Sequence, residues 1–220
     1  MKIRIHWRTI TAAHARRAVR LLEAMFFTAG GLMLAWCAWS YFEAGWFQAS
    51  EIGRFVQPET LSDAFDGQQA RADLTVKLSR ALPAVPESAP RRGAAFSKIE
   101  IPRLGVEVVV VEGVEPKNLK LGAGHIPGTA LPGEPGNIAI AAHRDTFFRE
   151  LRHIQEHDRI TLTTLHGAYN YSVEETEIVD PSAVDVLAPT DEQTLTLITC
   201  YPFSWIGSAP QRFIVQAQAN

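Results

Sequence analysis

The sequence predicts an all-β domain over residues 96–220, preceded by a transmembrane helix and a partly helical linker. Three observations support this fold class. An uncharged run near the N-terminus is long enough to cross a bilayer. A segment rich in Pro, Ala and charge follows it, as in linkers. From residue 96 onward, short β-branched runs recur between Gly, Pro and Asn turns without a long helical pattern, which favours a β-barrel or a β-sandwich.

The N-terminal region has the pattern of a single-pass anchor. Residues 1–20 contain six Lys or Arg and no acidic residue, and Ala24–Phe42 is a run of nineteen residues without a charge. Because positive charge favours the cytoplasmic side, we predict that residues 1–20 are cytoplasmic and that residues 21–42 span the cytoplasmic membrane. The rest of the chain is then expected outside that membrane. A cleavable signal peptide is the alternative, but its apolar core is ordinarily shorter, at ~7–15 residues.

Residues 43–95 are predicted to form a stalk or linker. Within it, Pro58 begins a loosely periodic pattern that predicts a helix to about Leu82. The segment from Ala81 to Arg92 is rich in Pro, Ala and charge, which favours an extended connection. No pattern in this region indicates a catalytic site.

The domain over residues 96–220 contains seven or eight predicted strands and two predicted short helices. The helices are expected at Pro116–Leu121 and Thr146–Ile154. The strands are expected at Ser97–Ile101, Val106–Val111, Asn137–His143, Arg159–Leu165, Tyr169–Val179, Thr194–Cys200 and Gln211–Gln216.

Composition excludes several classes of function. The domain has nine Lys or Arg against sixteen Asp or Glu, so nucleic acid is not an expected partner. The two cysteines, Cys37 and Cys200, cannot make a disulfide framework. The chain has no C-x-x-C pair, which disfavours a thiol-disulfide oxidoreductase, and no phosphate-binding Gly loop after a strand. We expect no cofactor and no metal at the catalytic site, and a dependence on calcium stays open.

Three reactive side chains lie at the ends of buried apolar runs. The run Thr194–Thr199 ends in Cys200, and Pro202 stops it; Arg212 opens the next run. If these two strands are neighbours, the thiol faces the guanidinium across a hairpin. The run Asn137–Ala142 ends in His143. A cysteine, a histidine and an arginine at strand ends indicate nucleophilic catalysis.

The chemistry of these groups suggests a division of roles. A thiol reacts as the thiolate, and a free thiol has a pKa of about 8.5, so Cys200 needs a base or a cation nearby. His143 is the candidate acid and base. Arg212 stays charged, and its planar donors suit an oxyanion or the carbonyls of a peptide.

Two further histidine patterns have less specific interpretations. The segment His153–His157 fits H-x-x-E-H, a zinc-peptidase pattern, but that pattern needs a long helix and a strand is predicted to begin almost at once. His125 lies in a Gly- and Pro-rich loop, where a structural role is the commoner one and substrate contact is the alternative.

At these residues the chain resembles the sortases. The segment Thr196–Cys200 matches their T-L-x-T-C motif, with an arginine twelve positions later at Arg212. Gly136–Arg144 resembles the family's strand ending in the catalytic histidine, and Ile99–Pro102 and Gly122–Gly128 look like other sortase landmarks. The resemblance covers about residues 97–217 and is nearest to class D and its Gram-negative relatives.

The resemblance implies an eight-stranded β-barrel with short helices and a cysteine transpeptidase. Cys200 is implied to be the nucleophile, His143 the acid and base, and Arg212 the oxyanion and substrate clamp. We expect three further residues to line the substrate groove: Ala142, Thr199 and Tyr201.

The partners implied are surface proteins with an LPXTG-like C-terminal sorting motif, and an amine acceptor on peptidoglycan or a pilin-like protein. Two alternatives stay open at this point. One is a cysteine endopeptidase that hydrolyses its substrate, and the other is a membrane-tethered barrel that binds peptides without catalysis.

Overall fold

The N-terminal part of the structure is one long helix. The computed structural model describes residues 12–55 and 90–220, and two compact units divide the chain at residue 43. Helix α1 runs over Ala12–Ile52, and a 3-10 turn over Gly53–Phe55 follows it. Within the described residues, this is the one helix that is long and apolar enough to cross a membrane, judged by length and composition. It includes the predicted anchor, residues 21–42.

Eight strands close into a barrel in the second unit. Around the barrel their order is β1-β2-β3-β4-β7-β8-β6-β5, which confirms the predicted eight-stranded barrel. A short helix, α2 (Pro116–Leu121), precedes β3. The strands are β1 (Ala95–Ile101), β2 (Val106–Glu112), β3 (Ala123–His125), β4 (Gly136–Ala141), β5 (Arg159–Thr164), β6 (Ala168–Val179), β7 (Gln193–Tyr201) and β8 (Gln211–Ala219).

Strand direction brings the ends of three strands together. The pairs β2–β3 and β4–β7 are parallel, and the others are antiparallel. Strand β7 therefore lies between β4, which runs parallel to it, and β8, which runs antiparallel. As a result, the carboxyl ends of β4 and β7 and the start of β8 lie at the same end of the barrel.

Strand β3 was not predicted, and the predicted second helix is shorter than expected. The Gly- and Pro-rich composition of residues 122–128 predicts a loop, but Ala123–His125 pairs with β2 and β4. Three residues are too few to show an alternating pattern. A Cβ added at Gly124 would lie 2.6 Å from the Gly113 carbonyl oxygen, so this strand depends on close backbone packing. In the range 146–154, only a 3-10 helix over Arg149–His153 forms.

Side chains alternate between the barrel interior and its outer surface. The interior is filled by apolar residues with almost no solvent exposure, and Ile99, Ile138, Ile140, Leu162, Leu195, Leu197 and Val215 are among them. On β2, Val108 and Val110 face this core, whereas Val109 and Val111 pack outside against Phe55. Both faces of β2 are thus buried, which explains its unbroken run of valines.

The segment that covers β2 belongs to the predicted stalk. Phe47 and Ile52 pack with Phe55 on the outer valines. The Gln48 side chain accepts a hydrogen bond from the Val109 N–H at 2.9 Å and donates one to the Leu121 carbonyl at 2.5 Å. The predicted stalk, residues 43–95, therefore includes a part that packs on the barrel. The helix predicted from Pro58 lies outside the described residues, and the domain boundaries stay a prediction.

Tyr171 provides a test of the barrel core. Its side chain is fully buried, and its hydroxyl has no hydrogen-bond partner among the described residues. Burial disfavours the phenolate and, with a smaller contribution from Tyr169, raises the pKa of Tyr171 to about 12. We expect Tyr171→Phe to raise the free energy of unfolding at pH 7 by roughly 1 kcal/mol, because an unsatisfied buried hydroxyl is removed.

The same substitution has a pH signature. Above pH 10 the unfolded chain loses the Tyr171 proton while the folded chain keeps it, so wild-type stability falls from about pH 10 towards pH 12. We expect Tyr171→Phe to show a smaller fall in urea unfolding of the full chain. Tyr41→Phe, at an exposed site on α1, is the matched control and should follow the wild type. A loss of stability in Tyr171→Phe at pH 7 would contradict the absence of a partner.

Candidate active site

Cys200 and Arg212 face each other on neighbouring strands. They are directly opposite in the antiparallel pairing of β7 and β8, one pair before the ladder ends at Tyr201 and Gln211. Side chains of directly opposed residues lie on the same face of a sheet, about 5 Å apart at Cβ. Both residues are partly exposed. The structure therefore has the predicted arrangement, in which the thiol and the guanidinium face each other on two neighbouring strands.

His143 lies beside Cys200 on the other flank of β7. The last residue of β4, Ala141, is in register with Ile198, and the Ala142 N–H donates to the Ile198 carbonyl at 3.1 Å. Continuing this parallel register by two residues brings His143 level with Cys200. The strand predicted over Asn137–His143 ends at Ala141, and the bond from Ala142 to Ile198 continues the alignment with β7 one residue beyond that end.

Alternation places the three reactive side chains on one surface. Leu195, Leu197, Ile138, Ile140 and Val215 point into the barrel. Cys200, His143 and Arg212 lie an odd number of residues from these positions, and successive side chains on a strand point to opposite faces. Cys200 and Arg212 therefore project from the outer face of β7 and β8, and the alternation of β4, continued two residues past its end, places the exposed His143 on the same face.

The Arg212 guanidinium is held by the backbone before it. Its Nη1 donates to the Gln211 carbonyl at 2.9 Å and to the Ala209 carbonyl at 3.3 Å. Among the described residues, no acceptor is recorded for its other donors. One side of the planar group is thus fixed, and the remaining N–H groups are available for an incoming oxygen.

Ala142 and Thr199 connect β4 to β7 from the inside. The Thr199 hydroxyl donates to the Ala142 carbonyl at 2.8 Å, and these residues are 2% and 6% exposed. This contact fixes the chain just before His143 against the chain just before Cys200. Their predicted contact with a substrate stays a prediction, and the contact the structure shows is one of positioning.

Tyr201 belongs to an aromatic cluster under the strand ends. It stacks on Phe213 at 6.4 Å between ring centroids and makes an edge contact with Phe203 at 6.0 Å. Phe203 and Phe213 contact each other at 5.3 Å and pack against the barrel core. Such pairs stabilise a fixed geometry. The cluster therefore holds the end of β7 and the first residues of the following loop.

Arg144 was not predicted to have a separate role. Its Nη2 donates to the Trp205 carbonyl at 2.6 Å and to the Gly207 carbonyl at 3.0 Å. These bonds attach the β7–β8 loop to the residue that follows His143. The sequence does contain a signal for this role: Arg144 directly follows the predicted catalytic His143, at the end of a buried apolar run.

His125 is a structural residue. It is 2% exposed, and its Nδ1 lies 2.6 Å from a Glu112 carboxylate oxygen. Its Nε2 lies 3.0 Å from the Ala130 carbonyl and 2.9 Å from the Thr129 hydroxyl. Both ring nitrogens are therefore engaged within the fold, as expected of a buried polar group. The alternative of substrate contact is not supported.

The H-x-x-E-H segment does not form a zinc-peptidase helix. The 3-10 helix ends at His153, and His157 lies beyond it with a positive φ of 68°. The two histidines therefore do not share one helix face, which that type of site requires. In residues 12–55 and 90–220, no group of three or more His, Cys, Asp or Glu has the arrangement of a metal site.

Comparison with known proteins identifies the family. The fold and the site define an eight-stranded barrel with a candidate cysteine nucleophile at the ends of its strands. The family model described as the Sortase domain matches residues 99–220. The chain belongs to the sortase family.

Two curated relatives and one solved structure illustrate the similarity. The chain is 36% identical to Sortase D of Bacillus subtilis over 57% of this chain and 64% of that protein. It is 33% identical to Sortase A of Listeria monocytogenes over 50% of each. It therefore spans about half to two thirds of the length of these relatives. The structure of a Clostridium perfringens Sortase D5 transpeptidase superposes with a TM-score of 0.55 at 30% identity, over 74% of this chain and 94% of that one.

Proposed function

We propose that this protein is a membrane-anchored cysteine transpeptidase that cleaves an LPXTG-like sorting motif and transfers the acyl group to an amine. The observation that supports it best is the common surface of Cys200, His143 and Arg212 on three adjacent strand ends. The similarity to a solved structure described as a sortase transpeptidase also supports it. Peptide binding alone does not require a thiol, an imidazole and a guanidinium at one place.

The first half of the reaction forms a thioacyl-enzyme. The Cys200 thiolate attacks the carbonyl carbon of the scissile peptide bond, and a C–S bond forms. The free donors of Arg212 stabilise the negative oxygen of the tetrahedral intermediate. The C–N bond then breaks, and His143 gives a proton to the leaving amine. The backbone bonds at Ala209 and Gln211 fix the guanidinium before substrate arrives, which reduces the reorganisation needed.

The second half returns the free enzyme. An amine attacks the thioacyl carbonyl, His143 accepts its proton, and the C–S bond breaks to release the thiolate. The product is a new amide in which the acyl part of the sorting signal is joined to the acceptor. Water gives hydrolysis by the same route, which is why the endopeptidase hypothesis uses the same residues.

Helix α1 and the family support the proposed location and partners. A helix long and apolar enough to cross a membrane, preceded by a basic segment, supports a single-pass anchor with a cytoplasmic N-terminus. The catalytic domain then lies outside the cytoplasmic membrane. Its proposed partners are surface proteins with a C-terminal sorting motif, and an amine of peptidoglycan or of a pilin-like protein.

A transfer assay distinguishes transpeptidase from endopeptidase. We expect the full chain to cleave at least one member of a pool of LPXTG-like peptides and to show a Cys200 thioacyl adduct by mass spectrometry. Adding triglycine should divert product from the hydrolysed acid to the amide, since a positioned amine competes with water for the same intermediate. Cleavage with no amide at any triglycine concentration would favour the endopeptidase. No cleavage and no adduct would contradict the enzymatic proposal.

A further inference from the structure

A cationic cleft opens next to the reactive residues. It has a volume of about 640 Å³ and is lined on one side by Arg144, Asp145, Arg149 and Arg152, and on the other by residues 201–204. We call it the arginine cleft. Residues 144 and 145 directly follow His143, and residues 201–204 directly follow Cys200. The cleft therefore lies beside the place where an amine leaves or enters in the proposed reaction.

Two of its arginines are presented together by local structure. Arg149 and Arg152 are three positions apart on the 3-10 helix Arg149–His153. Side chains at this spacing are eclipsed in a 3-10 helix and so lie on the same side. Leu151 and Phe148 are fully buried and fix the segment on the barrel. The two guanidinium groups therefore share a side, on a rigidly attached element.

Arg144 contributes a buried donor without a partner. Its Nη2 is engaged by the β7–β8 loop, whereas its Nη1 is buried and makes no hydrogen bond to the described residues. A buried charged donor that is left unsatisfied is costly. Arg144 therefore adds positive charge at the wall of the cleft, where the two bonds of its Nη2 to the β7–β8 loop hold it.

The charge balance of the cleft favours an anion. Three arginines face one lining carboxylate, Asp145. Arg152 also contacts Glu150 at 3.3 Å, but both side chains are about 40% exposed and such surface pairs are weak. No ion pair is recorded for Arg149 or Arg144 within the described residues. Guanidinium groups bind carboxylates with two parallel hydrogen bonds, and the volume is in the usual range for small-ligand sites.

From this arrangement we propose that the arginine cleft binds a carboxylate attached to the amine that enters or leaves the reaction. The inference rests on the proposed transpeptidase function. It names the chemical class of the second substrate: an amine with a carboxylate within the length of a dipeptide. Two molecules could supply this carboxylate: the acceptor, and the released half of the sorting signal. In the proposed reaction the amines of both occupy the same side of the thioacyl group.

Matched pairs of amines test the acceptor source. The probes are glycylglycine against glycylglycinamide, and Nα-acetyl-lysine against its amide, each used with the same donor peptide and the full chain. We expect the carboxylate form of at least one pair to have a transfer kcat/KM roughly 10-fold higher, as for one charge-assisted contact. This preference should shrink in high salt, because the cleft is open to solvent.

A pair of donor peptides tests the other source. The two peptides differ by Glu or Gln one residue after the scissile bond, and cleavage is measured without an acceptor. A roughly 10-fold preference for Glu assigns the carboxylate to the leaving peptide. A preference for the carboxylate form in the experiment with amine pairs assigns the carboxylate to the acceptor.

Variants connect the preference to the cleft. In Arg149→Gln/Arg152→Gln, the ratio of carboxylate to neutral substrate should fall to about 1, and in Arg149→Glu/Arg152→Glu it should invert. Arg159→Gln removes an exposed arginine of β5 that does not line the cleft, and it should keep the wild-type ratio. Ratios compare two substrates of one enzyme, so a change in overall activity does not affect them.

The outcomes separate this inference from the proposed function. If Cys200-dependent cleavage occurs but no pair shows a preference, the cleft has no such role. A preference that persists in the double Gln variant also overturns the inference. Loss of Cys200-dependent cleavage itself would instead refute the proposed function.

Discussion

Replacing Cys200 by alanine is expected to abolish peptide cleavage and transfer, lowering kcat/KM by at least about 10⁴-fold. In the proposed mechanism, the Cys200 sulfur forms the C–S bond in the first half-reaction and is the leaving group in the second, and neither His143 nor Arg212 can substitute for it. Losses of this size are typical when a nucleophile that acts with its partners is removed. The measurement is release of product from a labelled donor peptide by the full chain.

The chain provides a matched control for this experiment. Cys37 is the other cysteine, exposed on α1, and Cys37→Ala makes the same chemical change outside the sequence of the barrel domain. We expect it to keep wild-type activity. Iodoacetamide should inactivate the wild type and Cys37→Ala with labelling at Cys200. Cleavage retained by Cys200→Ala would refute the cysteine mechanism, whereas peptide binding without cleavage by the wild type would favour the peptide-binding hypothesis.

Replacing Arg212 by lysine is expected to lower kcat/KM by about 10²–10³-fold although the charge is kept. The guanidinium makes two backbone bonds at Nη1 and still has donors for a substrate oxygen. One ammonium cannot hold the backbone of the preceding loop and present planar donors at the same time. Removing an oxyanion donor elsewhere has effects of this order. Single-turnover formation of the thioacyl-enzyme measures the step directly.

The control for Arg212→Lys is the same substitution at Arg159, which is exposed on β5. Arg159→Lys should leave the rate of thioacyl formation unchanged. A rate for Arg212→Lys within about 3-fold of the wild type would exclude the clamp role. Partial recovery of Arg212→Ala by added guanidinium would support it, because it restores the planar donors without the rest of the side chain.

Strands were predictable from the sequence where they are long enough to show a run of β-branched or apolar residues. Seven strands were expected within a few residues of their observed bounds, because each has several β-branched or apolar residues between turn residues. Strand β3 was not, since three residues give no period and its place depends on contacts with β2 and β4. The second short helix is shorter than predicted: only a 3-10 helix over Arg149–His153 forms, and Phe148 and Leu151 are fully buried in the core there.

The three candidate catalytic residues were indicated by the sequence, whereas the arrangement of the residues around them was not. The amino-acid order was enough to indicate Cys200, His143 and Arg212, because each lies where a buried run meets a turn and matches a family motif. The sequence also indicated the long apolar helix, since a candidate membrane-crossing helix is recognised by its length and composition.

Only the tertiary structure decided which strands are neighbours. The order β4-β7-β8 brings together residues far apart in the chain, and it arises from non-local pairing that no local pattern encodes. The same packing placed Ala142 and Thr199 inside, made His125 structural and brought Arg144, Arg149 and Arg152 around one cleft. Local propensity depends on a few adjacent residues, whereas register and burial depend on the closure of the whole barrel.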